Sequence, residues 1–97
     1  MVVTIIGSLT EKKEMDKIKA FLDKCGAIVN SPGDPELQKE PLVNIQRTWI
    51  EKIEEADLII AIPKSVSLAA NYVLEFGEST SYEMAIARRF NKPILFG

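Results

Sequence analysis

The sequence predicts an α/β fold in which a parallel sheet lies between layers of helices. Three observations carry this prediction. Two short apolar runs, Val2 to Ile6 and Leu58 to Ile62, lack polar alternation and so read as strands buried on both faces. Segments with apolar residues at three-and-four spacing stand between the strand-like runs. Strand alternating with helix calls for right-handed crossovers, which lay each helix back on a sheet face.

The first strand, Val2 to Ile6, is β-branched and ends at Gly7-Ser8. Ser8-Leu9-Thr10-Glu11 then has capping-box spacing, and Met15, Ile18, Leu22 and Cys25 follow on one helical face. On this reading Cys25 is a buried structural thiol. Gly26 sits where a helix ends in a left-handed residue. Ala27 to Asn30 is the second strand, and Ser31-Pro32-Gly33-Asp34-Pro35 is a turn. From Leu42, the residues Ile45, Trp49, Ile53 and Ala56 recur with helical period, and Asp57 leads into the third strand, which Pro63 stops.

Residues 64–80 show no clean period despite Val66, Leu68, Tyr72, Val73, Leu74 and Phe76. A connection of that length is generally functional or locally structured, and the expectation is a lid or a subunit contact. Thr80 is expected to cap a third helix, Ser81 to Phe90, before the turn Asn91-Lys92-Pro93 and a last strand, Ile94 to Phe96. The simplest topology is a three-layer, Rossmann-like sheet with the flavodoxin-type order 2-1-3-4. Ligands of such sheets bind beyond the carboxyl ends of the strands. That rim carries Gly7, Ser8, Pro63 and the start of the third helix.

Composition narrows the function. At 97 residues, 46% hydrophobic and 27% charged, the chain has ordinary globular proportions, and a single domain over 1–97 is expected. Twelve basic and 14 acidic residues are mixed without a basic run, so no nucleic-acid partner is expected. The longest apolar stretch, Leu58 to Pro63, is far short of the roughly 18 residues of a membrane span. One cysteine and no evident signal peptide suggest the cytoplasm. The chain has no histidine, which excludes histidine-based triads and, with only one cysteine, the usual zinc sites as well. Chemistry without metal or cofactor, resting on carboxylates, hydroxyls, lysine, tyrosine or backbone dipoles, is expected.

The most informative segment is Phe76-Gly77-Glu78-Ser79-Thr80-Ser81-Tyr82-Glu83-Met84-Ala85, with Lys92-Pro93-Ile94 downstream. Here the chain resembles the nucleoside 2-deoxyribosyltransferases and the nucleotide N-glycosidases of the same fold. Ser81 to Ala87 follows their Gly-x-Glu-x-Gly-x-Ala pattern, with serine and alanine at the glycine positions. Ile5-Ile6-Gly7-Ser8 and Glu55 to Ala61 match two further blocks, so the resemblance runs nearly end to end. It implies a small-molecule nucleoside or nucleotide ligand and a nucleophilic glutamate, Glu83. The hydroxyls of Ser79, Thr80 and Ser81 with nearby backbone amides, beside Gly7, Ser8, Pro63 and Gly77, are the expected site for its sugar or 5′-phosphate. A carboxylate suits attack on an anomeric carbon through a covalent glycosyl ester. On the first turn of a helix, the positive helix end would hold it ionised and lower its basicity.

The same residues admit plainer readings. Thr80-x-x-Glu83 is also a capping box. The family pattern carries an aspartate where this chain has Trp49, which is read either as a core residue on the apolar helix face or as a surface for base stacking. Gly77-x-x-Thr80-x-x-Glu83 further resembles a region of lysine-decarboxylase-like phosphoribohydrolases and their nucleotide-sensing relatives, so a sensor or an interaction module stands beside the enzyme reading. A homodimer or larger closed oligomer is expected, because the last strand is a short edge and the long connection is rich in large apolar groups.

Overall fold

The β-branched run at the amino end forms β1, Val2–Gly7, and Val3, Thr4, Ile5 and Ile6 are all fully buried, as expected of a strand covered on both faces. The computed structural model describes residues 1–8, 11–32, 42–63 and 78–96. After β1 come α1 (Lys12–Lys24), β2 (Ile28–Asn30), α2 (Leu42–Glu55), β3 (Leu58–Ile62), α3 (Glu78–Arg89) and β4 (Ile94–Phe96). The turn residues 33–35 and the connecting residues 64–77, with Lys64, Asn71, Tyr72, Glu75 and Gly77, lie outside the described residues.

The four strands are parallel in the order β2-β1-β3-β4, as the topology argument predicted. Alternation along the strands divides the core in two. On one face Ile5 and Ile62 pack with Met15 of α1, joined by Ile18, Val29 and Ile60. On the other, Ile6, Ile59 and Ala61 pack with Trp49 and Ile53 of α2, Ala56, and Met84 and Ala87 of α3. Each fully buried isoleucine contributes about 1.5–3 kcal/mol relative to its exposed state.

Polar side chains fix the register. The Thr4 hydroxyl donates to the Lys52 carbonyl of α2 at 2.8 Å and accepts from Asn30 Nδ2 at 3.3 Å. Asn30 Nδ2 also donates to Glu55 Oε1 at 3.2 Å, so β1, β2 and α2 meet at one small network. Asp57 clamps the amino ends of β1 and β3. Its carboxylate accepts from the Val2 amide at 2.8 Å, and its own amide donates to the Val2 carbonyl at 2.7 Å.

Three expectations about helix ends are corrected. Glu11, not Ser8, is the N-cap residue of α1, without a side-chain capping bond, and the Glu11 amide donates to the Ser8 carbonyl in a turn ahead of the helix. Cys25 is exposed rather than buried, because α1 ends at Lys24 and the chain turns through Gly26 at φ 83°. Thr80 is no cap: α3 begins at Glu78 and encloses it.

Candidate functional site

The β1 strand ends at Gly7, where the backbone approaches its neighbours closely. A Cβ there would stand 2.6 Å from Met15 Cε and 3.1 Å from the Ile62 carbonyl oxygen. Glycine at this position lets β1, β3 and α1 converge at the carboxyl rim of the sheet. Ser8 follows β1 and Pro63 follows β3, both half-buried, on that same rim.

The third helix carries the hydroxyls and the carboxylate that the sequence singled out. Each helix that returns between parallel strands starts on the carboxyl side of the sheet, so the amino end of α3 faces the rim. Ser79, Thr80 and Ser81 occupy its first turn, where backbone amides lack intrahelical acceptors. The three hydroxyls diverge, since successive helical residues turn by about 100°. Ser79 and Ser81 are exposed, whereas Thr80 is only 3% exposed and shares a helical face with Glu83, Met84 and Ala87.

Glu83 is the sixth residue of α3 and so stands in its second turn. Its carboxylate sits against the core between α2 and α3, and Trp49 of α2 donates from Nε1 to Glu83 Oε2 at 3.0 Å. Burial pushes the carboxyl above its usual value, and the Trp49 hydrogen bond opposes that shift in part. This reverses the expectation of a first-turn carboxylate with lowered basicity. The helix-end field fades within the first turn, while desolvation acts where the group now stands.

Trp49 is 7% exposed and packs in the cluster beneath the sheet, as its helical period indicates. The spacing of apolar residues did not reveal its polar contact. Trp49 and Glu83 lie 34 residues apart, and only the packing of α2 against α3 brings N–H and carboxylate together. The one signal available was chemical: an indole on an apolar face must find an acceptor for its N–H. Bonds to charged groups typically contribute about 1.5–3 kcal/mol. Gly77 lies outside the described residues, whereas Gly7, Ser8, Pro63 and the first turn of α3 share the carboxyl rim.

Among the described residues no helix is long and apolar enough to cross a membrane. No family model and no curated protein matches the sequence. Solved structures do match. A 2-deoxyribosyltransferase from Leishmania mexicana superposes with a TM-score of 0.74 at 20% identity, over 98% of this chain and 62% of that one. The CMP N-glycosidase BcmB of Clostridium botulinum superposes with a TM-score of 0.66 at 20% identity, over 99% of this chain and 70% of that one. The chain thus spans less than two thirds of the transferase. Its parallel 2-1-3-4 sheet, layered by helices on both faces, has the nucleoside 2-deoxyribosyltransferase-like fold.

Proposed function

We propose that this chain cleaves or transfers the N-glycosidic bond of a (deoxy)nucleoside or a nucleoside 5′-monophosphate, with Glu83 as the nucleophile. The observation that carries the reading is a half-buried carboxylate, tied through one oxygen by the Trp49 indole, on the helix whose amino end faces the carboxyl rim of the sheet. Two proteins of the same fold, a 2-deoxyribosyltransferase and a CMP N-glycosidase, support the class of chemistry.

In this mechanism the carboxylate oxygen attacks the anomeric carbon as the carbon–nitrogen bond breaks. The base leaves with the bonding electrons and takes up a proton, and a glycosyl ester remains on Glu83. Water or a second base then displaces the ester and restores the carboxylate. Desolvation favours the reaction, because the ionised side chain loses charge on forming the ester. The amides at the start of α3, the exposed hydroxyls of Ser79 and Ser81, and the Gly7-Ser8 and Pro63 turns would receive the sugar or its 5′-phosphate, with Gly77 preceding the helix and Thr80 turned into the core. A cytoplasmic setting belongs to the same proposal.

The test is release of base from 2′-deoxynucleosides and nucleoside 5′-monophosphates. Glu83→Gln keeps the shape and cannot form the ester, so it should retain fold and ligand binding while losing base release. Wild-type turnover that survives this substitution overturns the assignment. A wild type that binds a nucleoside monophosphate and releases nothing would mark a nucleotide sensor.

A further inference from the structure

We propose that Trp49 is a positioning residue for Glu83: its indole N–H holds Oε2 of the carboxylate from across the α2–α3 contact and presents Oε1 to the ligand. The inference rests on the reading of Glu83 as nucleophile and adds the residue that aims it.

The geometry supplies the argument. An indole nitrogen donates and never accepts, so it can anchor a carboxylate oxygen but cannot take a proton from it. The donor is rigid, because its ring lies in the cluster formed by Ile6, Ile53, Ala56, Ile59, Ala61, Met84 and Ala87. Among the described residues Trp49 is the only side chain with a hydrogen bond to Glu83, at 3.0 Å. A carboxylate fixed through one oxygen loses rotation about its terminal torsion, which is otherwise broad. The remaining oxygen then points in one direction, and fixed orientation of a reacting group lowers the barrier to attack. Helix, sheet and α2 side chains of this cluster are uncharged, so burial and the indole bond are the two influences on the ionisation of Glu83.

The chain has one tryptophan, so its indole N–H gives a single resonance. In the full chain labelled with nitrogen-15, that resonance should shift with pH along one titration, centred above the usual glutamate range, and should stay still in Glu83→Gln. An indole resonance that does not follow Glu83 overturns the contact. Trp49→Phe removes the donor and keeps an aromatic ring. It should lower kcat for base release by on the order of tenfold or more, leave KM for the same nucleotide within about twofold, and move the acidic limb of the rate profile to higher pH. Trp49→Phe with wild-type kcat and an unmoved acidic limb, in a variant whose circular dichroism matches wild type, overturns the positioning role. A wild type that releases no base from any nucleoside or nucleotide overturns the nucleophile reading and the positioning role with it, whereas the indole titration, read without turnover, decides the Trp49–Glu83 contact separately.

Discussion

Glu83 carries a charge that its surroundings resist, and this has a measurable consequence for stability. Burial raises its folded-state pKa above the unfolded value, so between the two values the folded chain holds a proton that the unfolded chain has lost. Its contribution to stability is therefore fully present below the ordinary glutamate pKa and is lost as pH rises through the raised folded value. Glu83→Gln has no such ionisation, and its amide oxygen still accepts from Trp49. We predict that the variant's Tm matches wild type in acid and exceeds it increasingly across that window, up to a plateau. Melts over a pH series check this, and a constant difference at every pH would refute it. The sequence indicated the residue type and the face of Trp49, since both follow from local spacing. It did not indicate that the two meet, because that contact arises only when two helices settle on one sheet face.

At the scale of elements, the helix ends are the best-defined features. Two helices end in the same way. In α1 the Ala27 amide donates to the Leu22 carbonyl and the Gly26 amide to the Asp23 carbonyl; in α3 the Lys92 amide donates to Ala87 and the Asn91 amide to Arg88. Both are Schellman closures with a left-handed residue just past the helix, Gly26 at φ 83° and Asn91 at φ 56°. Asparagine tolerates that conformation through its short polar side chain, whereas alanine does not. Asn91→Ala should cost about 1–2 kcal/mol, and Asn91→Gly should be neutral or stabilising; chemical denaturation of both variants distinguishes them. The end of α1 was legible because glycine marks it. The start of α3 was not: Thr80 and Glu83 have the spacing of a capping box, yet the burial of Thr80 in phase with Met84 and Ala87 carries the helix back to Glu78. Cys25 was misplaced for a related reason, since a periodic count does not see that the chain has already turned away from the helix axis.

For the molecule as a whole, strand order was the most legible feature, because fully buried strands linked by helices leave few topologies. The edges were less so. The β4 strand pairs only with β3 among the described strands, and Leu95 and Phe96 on it are 57% and 50% exposed, with Tyr82 65% exposed on α3. An edge strand bearing large apolar groups invites pairing. We predict a homodimer or larger closed assembly, to be checked by light scattering; a monodisperse monomer at micromolar concentration would count against it. Leu95→Lys should then shift the population toward smaller species without loss of secondary structure.

The exposed thiol at the end of α1 and the buried indole of α2 are each the sole representative of their residue type. The chain therefore carries one tryptophan donor and one attachment point for an acceptor dye. The molecule measures 37 × 31 × 28 Å, so both lie within the range of resonance energy transfer. Because the donor rests against the Glu83 carboxylate, a dye on Cys25 would read the separation of α1 from α2 as a transfer efficiency, in a chain that needs no engineered label site.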